Sequence, residues 1–404
     1  MPDSAEAGGS DREPSPPPPP RSRVLLMLLD GCRVDAMLAA EAPHLKRLAK
    51  TGTFSFHVHC GGLALSAPSW ATLLTGVPQD EHPVTTNDLD LLTLDAQGRV
   101  LVTPVPACVC APAPQGAMCA NFRRGRTLRA EPQVMPATVF SRVAEAGLSS
   151  ALLTVGSWEG VGRLCGAPPE AASAMLEGGR LVVRHFRCQL AEEERETAAA
   201  VDVALELLED VDQDGCPDVL AMYLHLIDGN GHAFGFGTEV PEYDAAIEQV
   251  DRQVGRLVTG LDRRAHRLEE SRCPAEDWLV VATTDHGGSA RARMPREMWR
   301  GFAEGCGCVH KGIPQTDLRG VHGLRDLPQH YQTFQIFARS RSLDLGEMLP
   351  APKPEDVVPA LLQHLLPQGA ATQGLLGKAR CFAATVPAIP SDMAEPPKKR
   401  GRKE

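Results

Sequence analysis

Continuous apolar runs alternate along the chain with segments in which apolar and polar residues recur at helical spacing. The continuous runs predict buried strands at 24–29, 150–155, 218–227, 278–283 and 333–338. An alternation of strands and helices is typical of an α/β fold, in which a mostly parallel central sheet carries helices on both faces. We therefore expect that architecture.

The predicted helices lie between these strands. Their ranges are 68–74, where Pro68 opens the helix; 138–146, with Gly147 as its C-cap; 192–209; and a helix whose apolar face carries Tyr243, Ile247, Val250, Val254 and Leu257. A three-and-four spacing of apolar residues places them on one face of a helix, which then packs against the sheet.

The two ends of the chain and one internal segment lack this pattern. Residues 1–22 contain the proline run 16–20 and little apolar content, so we expect a disordered arm. Residues 386–404 are predicted to be a disordered tail whose basic cluster, 398–403, is a nuclear-localisation signal, a weak nucleic-acid contact or a solvated end. The folded domain then covers 23–385, with a surface insertion at about 90–136.

Composition narrows the classes of partner and compartment. The chain has 41 basic and 51 acidic residues, a formal charge of −10, which argues against broad docking on nucleic acid or an anionic membrane. No run approaches the ~20 apolar residues of a membrane helix, and residues 24–29 are shorter than the ~7 to 15 residues of a signal-peptide core. We expect an intracellular protein, cytoplasmic or nuclear, without a membrane span.

Twelve cysteines are then expected to be reduced thiols. The pairs Cys108/Cys110 and Cys306/Cys308 are either loop cysteines or ligands of a structural zinc. The Cys-x-Cys spacing is shorter than the usual zinc spacing, which favours loop cysteines.

Three of the apolar runs end on an aspartate. Asp30 closes the first, Asp228 follows the third with His232 four residues later, and Asp285 closes the fourth with His286 next to it. Ligands of open α/β sheets bind at the carboxyl ends of the strands, so these side chains are expected to converge. Carboxylate oxygens and imidazole nitrogens suit Zn²⁺ or a similar divalent ion.

Ser66 stands just before the predicted helix that Pro68 opens. Alone it is either an N-cap serine or a nucleophile placed where a helix N-terminus favours a phosphate. No histidine base accompanies it at a triad spacing, so activation of its hydroxyl would come from a metal.

In chain order these motifs resemble the alkaline phosphatase superfamily, and most closely its nucleotide pyrophosphatase/phosphodiesterase branch, the type I phosphodiesterases. The resemblance covers roughly 23–340. Its motifs are Asp30 after a strand, Ser66 in Ser-Ala-Pro-Ser-Trp, Asn87, Asp228-x₃-His232, Thr-Asp285-His286-Gly-Gly, and Val-His322-Gly. For the last ligand, His322 is preferred over the nearby His310 and His330.

The resemblance implies a site with two Zn²⁺ ions, or other divalent cations. One ion would be held by Asp228, His232 and His322; the other by Asp30, Asp285 and His286, with Ser66 as the nucleophile beside it. Asn87 would donate a hydrogen bond to a phosphoryl oxygen. The implied reaction is hydrolysis of a phosphodiester or phosphoanhydride bond in a small phosphate ester or nucleotide-like substrate, through a phospho-serine intermediate.

Several departures keep other functions open. Nucleotide-cleaving members usually carry an aromatic residue where this chain has Ala67, and Pro83 replaces a glycine in the loop before Asn87. Trp70 occupies the place of a sulfatase arginine, which favours phosphorus over sulfur. A monoester carries an extra negative charge that usually needs an added cation, and none is evident beside Ser66, which favours diesters. The arginines at 123, 124 and 126 could supply that cation and would then favour monoesters. A non-catalytic binding protein that retains the fold is the remaining alternative.

Overall fold

The computed structural model describes residues 20–104, 131–211, 215–291, 319–323, 327–340 and 352–366. The described strands are β1 Arg21–Leu29, β2 Thr53–His59, β3 Leu92–Leu94, β4 Val100–Val102, β5 Gln133–Val134, β6 Ser150–Val155, β7 Ser173–Leu176, β8 Leu181–Phe186, β9 Val219–Leu224, β10 Glu276–Thr283, β11 Ser289–Ala290, β12 Gly320–Val321 and β13 Gln332–Arg339. The described helices are α1 Val34–Ala39, α2 Pro43–Thr51, α3 Ser66–Thr75, α4 Val139–Glu145, α5 Gly160–Leu164, α6 Glu193–Glu209, α7 Leu226–Phe234, α8 Pro241–Glu270, α9 Pro328–Tyr331 and α10 Val357–Leu365.

Eight of these strands form the central sheet, in the order β2-β13-β10-β1-β9-β6-β8-β7. The inner strands β10, β1, β9, β6 and β8 are all parallel. The outer strands β13, β2 and β7 are antiparallel to their neighbours. The prediction of a mostly parallel sheet is therefore confirmed, and the carboxyl ends of five neighbouring strands lie along one edge.

Both faces of the sheet's centre are covered, which explains why β1, β6, β9 and β10 contain long apolar runs. Along β1, Leu25 and Met27 belong to one core and Leu26 and Leu28 to the other. The first core is closed by α1, α2, α6 and α8, and the second by α3, α4, α5 and α10. Successive side chains of a strand point to opposite faces, so a strand buried on both sides shows no apolar–polar alternation.

The predicted end of the third strand was wrong. The apolar run 218–227 was predicted as one strand, but β9 ends at Leu224 and α7 begins at Leu226. Leu226 and Ile227 are buried under the helix, so they continue the apolar run without continuing the strand. As a result Asp228 lies in the first turn of α7 and His232 one turn later on the same helix face.

The boundaries outside the main sheet also differ from expectation. β1 begins at Arg21, so the predicted arm 1–22 ends too late. The predicted insertion at about 90–136 contains β3, β4 and β5, which pair as a small antiparallel sheet; strands this short leave no period in the sequence. Residues 105–130 and the predicted tail 386–404 lie outside the described residues. Within the part of the chain that is described, no helix is long and apolar enough to cross a membrane.

A buried ion cluster closes the opposite, amino-terminal edge of the parallel strands. The Oε1 atom of Glu276 accepts hydrogen bonds from Arg23 Nε at 2.6 Å and Arg264 Nη2 at 2.8 Å. Its Oε2 atom accepts from Arg264 Nε at 2.7 Å and Trp278 Nε1 at 2.9 Å. Burial raises the pKa of Glu276, but the hydrogen bonds from Arg264 and the charge of Arg23 outweigh it and lower this pKa. The cluster ties β1, β10 and α8 together.

We predict that Glu276→Gln destabilises the protein by about 3 to 5 kcal/mol, because it removes the negative charge that accepts hydrogen bonds from two buried arginines. Urea denaturation at pH 7 measures this loss. Glu270→Gln is the control, since Glu270 pairs with His266 at 3.4 Å on the exposed face of α8; it should leave the midpoint almost unchanged. Equal midpoints for the two variants would contradict the prediction.

Candidate metal centre

Three aspartates follow three neighbouring strands of the sheet. Asp30 comes directly after β1, Asp285 follows β10 by two residues, and Asp228 follows β9 through the start of α7. All three side chains are buried. The order β10-β1-β9 brings them to one point at the carboxyl edge, as the sequence predicted from the strand ends.

Gly31 makes their close approach possible. Its backbone has φ +65°, and its N–H donates to Asp285 Oδ1 at 3.1 Å. A Cβ atom at this position would lie 2.5 Å from Asp228 Oδ1. A side chain at position 31 would therefore clash with Asp228 and push it away from the end of β1.

Two of the predicted histidines lie against these carboxylates. His286 Nε2 is 3.5 Å from Asp30 Oδ1 and 3.3 Å from Asp285 Oδ2. His232 Nε2 is 3.2 Å from Asp228 Oδ2, one helical turn away on α7. His322, which follows β12, stacks on His286 with ring centroids 3.7 Å apart.

The Nδ1 atoms of the three histidines all contact backbone carbonyl oxygens. His232 Nδ1 meets Gly320 O at 3.1 Å, His286 Nδ1 meets Gly287 O at 2.9 Å, and His322 Nδ1 meets Ala64 O at 2.8 Å. Because a carbonyl only accepts, each Nδ1 carries the hydrogen and donates it. In its neutral form, each ring with this tautomer presents the lone pair of Nε2, which is the arrangement found in metal-ligating histidines.

The ligand atoms fall into two groups, each within 4.8 Å: Asp30, Asp285 and His286, and Asp228, His286 and His322. The first group contains the residues that the resemblance implies for one ion. The second contains His286 in place of His232, which stays beside Asp228 on α7. Three of the carboxylate oxygens, Asp30 Oδ1, Asp228 Oδ1 and Asp285 Oδ2, are buried and accept no hydrogen bond.

The concentration of buried charge perturbs every member. Burial, with the negative charge of Asp228 second, raises the pKa of Asp30 to about 6, and burial together with Asp30 raises the pKa of Asp285 well above its usual range. Burial alone would raise the pKa of Asp228 as well. The neighbouring His232 outweighs burial and holds the pKa of Asp228 well below the usual value. Burial lowers the pKa of His322 to about 4, so this ring is neutral at pH 7. A divalent cation would compensate this charge, and a mixture of oxygen and nitrogen donors suits Zn²⁺ better than Ca²⁺ or Mg²⁺.

Two aromatic side chains that the sequence did not connect with the site hold Asp30. The Tyr223 hydroxyl and Trp70 Nε1, the latter at 3.3 Å, both donate to Asp30 Oδ2. Both rings are fully buried. The sequence feature that could have identified Tyr223 is a single hydroxyl-bearing residue within the otherwise apolar run of β9. Trp70, which stands at the position of a sulfatase arginine, lies in the core and also orients this carboxylate.

Ser66 is the first residue of α3 and is buried. Its Oγ lies 3.1 Å from His286 Nε2. The N-cap position belongs to Leu65, without a side-chain cap. The hydroxyl therefore faces the ligand cluster, and it does not serve as a helix cap.

Asn87 lies beside the start of the same helix. Its Oδ1 accepts the backbone N–H of Ala67 at 2.8 Å, so its NH₂ group remains a donor. The loop before Asn87 contains Pro83 and is held by His82, which is buried and meets Thr72 Oγ1 at 3.0 Å. The proline therefore does not prevent Asn87 from reaching α3.

The segment between β2 and α3 is fastened from two sides. Gln79 accepts the N–H of Leu63 at 2.6 Å and donates to the carbonyls of Cys60 and Leu63, each at 2.9 Å. The carbonyl of Ala64 accepts a hydrogen bond from His322 Nδ1, so the segment that carries Ser66 also orients this histidine.

The remaining histidines lie elsewhere. His57 and His59 are exposed, and buried His330 contacts Ser289 Oγ at 2.9 Å through Nε2. His225 is buried as a packed residue, yet its Nε2 is 3.6 Å from Asp228 Oδ2, a contact that the sequence did not reveal. His310, both Cys-x-Cys pairs and the arginines at 123, 124 and 126 lie outside the described residues.

The model of the type I phosphodiesterase / nucleotide pyrophosphatase family matches residues 24–295. No curated protein sequence matches the chain.

Among solved structures, the chain is similar to human ectonucleotide pyrophosphatase / phosphodiesterase 5, at 14% identity and TM-score 0.50 over 86% of this chain and 96% of that one. It is similar to the murine protein, in an inactive form in complex with AMP, at 15% identity and TM-score 0.49 over 87% and 96%. It is also similar to the C-terminal periplasmic domain of phosphoethanolamine transferase EptC from Campylobacter jejuni, at 10% identity and TM-score 0.44 over 85% and 89%. At these identities the likeness concerns the fold.

The family match covers most of the chain and includes the three aspartates, Ser66, Asn87, His232 and His286. His322 lies beyond the matched residues but stacks on His286 within the same cluster. The chain belongs to the type I phosphodiesterase / nucleotide pyrophosphatase family and is a hydrolase of that kind.

Proposed function

We propose that the protein hydrolyses phosphodiester or phosphoanhydride bonds of small phosphate esters or nucleotide-like substrates, through a phospho-serine intermediate at a two-zinc site. The observation that carries this proposal is the position of Ser66 Oγ, 3.1 Å from His286 Nε2 at the start of α3. There the hydroxyl lies against the histidine that belongs to both groups of ligand atoms.

The ligand sets that we propose are Asp30, Asp285 and His286 for one ion, and Asp228, His232 and His322 for the other. Support comes from the buried carboxylate oxygens without donors and from the Nδ1 contacts that leave Nε2 available. Bound zinc would supply positive charge for the phosphoryl oxygens and lower the pKa of hydroxyl groups beside it.

The residues of the chain have defined parts in the reaction. Ser66 Oγ forms a bond to phosphorus while the bond from phosphorus to the leaving oxygen breaks. The NH₂ group of Asn87, whose Oδ1 is fixed by Ala67, donates to a non-bridging oxygen and stabilises its developing charge. Water then bonds to phosphorus, the bond from phosphorus to Ser66 Oγ breaks, and phosphate monoester and free serine result.

Two features favour this reaction over the alternatives. Trp70 stands in place of a sulfatase arginine, and its indole N–H is used by Asp30. The complete set of acidic and imidazole groups favours an enzyme over a non-catalytic binding protein. An intracellular location, and weak nucleic-acid binding through residues 398–403, remain predictions.

We expect the purified protein to cleave bis(4-nitrophenyl) phosphate in a zinc-dependent reaction. EDTA should abolish the rate, and added Zn²⁺ should restore it, because the clustered carboxylates need a cation to act on an anionic substrate. Release of 4-nitrophenolate measures the rate, and metal analysis of the same sample gives the number of ions. A full rate in metal-free protein would refute the metal-dependent reaction.

A substrate panel separates the related functions. Rates on a dinucleotide, a nucleoside triphosphate, a phosphomonoester and an aryl sulfate are compared under identical conditions. Faster cleavage of diesters or anhydrides supports the proposal, whereas preference for the monoester or the sulfate would replace it with the corresponding activity.

Ser66→Ala should lower kcat by at least about 10³-fold, because it removes the group that forms the covalent intermediate. The matched control is Ser69→Ala, on the same helix, whose hydroxyl donates to the carbonyl of Leu63 at 3.2 Å and accepts from Gln79 Nε2 at 3.4 Å. It should retain activity within about tenfold of wild type. Trapping of the phosphoryl group on Ser66, still esterified to the alcohol that has not left, is checked by mass spectrometry of acid-quenched protein and tests the intermediate directly.

Asp30→Asn should stabilise the metal-free protein at pH 8 while lowering its zinc affinity. The folded-state pKa of Asp30 is raised to about 6, so this carboxylate destabilises the fold above pH 6, and that destabilisation disappears as pH falls towards the unfolded value of 3.8. Asparagine still accepts from Tyr223 and Trp70. Thermal unfolding in EDTA should show a higher Tm for the variant at pH 8 and nearly equal values at pH 4. A lower Tm at pH 8 would contradict this.

A further inference from the structure

A histidine–carboxylate pair outside the proposed ligand sets touches one of the ligands. His225 is the N-cap residue of α7, and Glu193 is the first residue of α6. His225 Nδ1 lies 2.9 Å from Glu193 Oε1, and on the other side of the ring Nε2 lies 3.6 Å from Asp228 Oδ2. The exposed fractions of the two side chains are 11% and 1%. The pair therefore links the start of α6 to the helix that carries Asp228 and His232.

Two glycines leave room for the pair. A Cβ at Gly156 would lie 2.7 Å from His225 Cβ, and a Cβ at Gly229 would lie 3.1 Å from Glu193 Oε2 and 3.4 Å from His225 Cε1. Any larger residue at position 156 would clash with the side chain of His225. The backbone around the pair thus leaves space for it.

The contacts of Asp228 divide between its two oxygens. Oδ2 faces His225 Nε2 at 3.6 Å and His232 Nε2 at 3.2 Å, whereas Oδ1 is buried and accepts no hydrogen bond. Glu193 accepts a hydrogen bond from His225 Nδ1 and so fixes the ring. Because Glu193 is the first residue of α6, this helix sets the direction of Nε2 towards Asp228. Outer partners of this kind orient metal ligands.

We propose that His225, held by Glu193, is a positioning residue that orients the Asp228 carboxylate for its cation. His225 restrains Oδ2, so that Oδ1 is presented to the ion. The inference rests on the proposed function, because it assumes that Asp228 binds a metal. It also gives α6 a role in the site. Glu193, the first residue of this helix, acts on Asp228 through His225 and contacts neither the ion nor the substrate.

Zinc affinity of the full chain, measured by competition with a chromophoric chelator, tests the inference. His225→Asn keeps a nitrogen near the position of Nδ1 and loses the one that faces Asp228, whereas His225→Gln keeps a nitrogen near the position of Nε2. We expect His225→Asn to weaken binding of one of the two zinc ions by about 10 to 100-fold. His225→Gln should recover part of this loss, and Glu193→Gln should show a smaller loss at the same ion.

His364→Asn is the control for a purely structural effect. His364 Nε2 contacts the carbonyls of Arg23 and Asp277, each at 3.0 Å, at the opposite edge of the sheet. This variant is expected to lose thermal stability with unchanged zinc affinity. If His225→Asn does not fold, Glu193→Gln carries the test, since it preserves the shape of the side chain.

The outcomes are distinguishable. Wild-type zinc affinity in folded His225→Asn, or in Glu193→Gln when the former does not fold, would overturn the positioning role and leave the proposed function intact. A wild-type protein that binds no zinc would overturn the proposed function itself. Equal losses for the asparagine and glutamine variants would assign the effect to packing, and would also overturn the inference.

Discussion

The structure depends on one electrostatic constraint, which is that three carboxylates are buried together at the edge of the parallel sheet. Like charges in a medium of low polarity repel strongly, and each also loses its hydration. The parallel order β10-β1-β9 places the three acids there regardless of this cost. The surrounding hydrogen bonds from Tyr223, Trp70 and Gly31 reduce the repulsion but leave three oxygens without donors.

This constraint links folding to cation binding. A group of ligands that repel one another when metal-free gains stability from any ion that neutralises them, and the gain is part of the binding free energy. The apolar cores on the two faces of the sheet must supply the stability that holds the acids together before an ion arrives. The charged cluster around Glu276 strengthens the same strands at their other ends.

The sequence predicted the central sheet well because a strand buried on both faces leaves a continuous apolar run. It predicted the wrong end for β9 because Leu226 and Ile227 extend that run into a buried helix. It identified Asp30 and Asp285 from their places after strands, but the role of Tyr223 in holding Asp30 depends on packing between strands that are distant in sequence. The arrangement of the histidines likewise depends on contacts across the fold, such as the one from Ala64 to His322.

The fastening of the segment between β2 and α3 has an evolutionary consequence. Ser66 lies at its end, His322 donates a hydrogen bond to the carbonyl of Ala64 within it, and Gln79 braces it. An inserted or deleted residue in this stretch would displace Ser66 and His322 together, so its length is under double restraint. Length changes outside this stretch, for example in the small antiparallel sheet of β3, β4 and β5, are free of that double restraint.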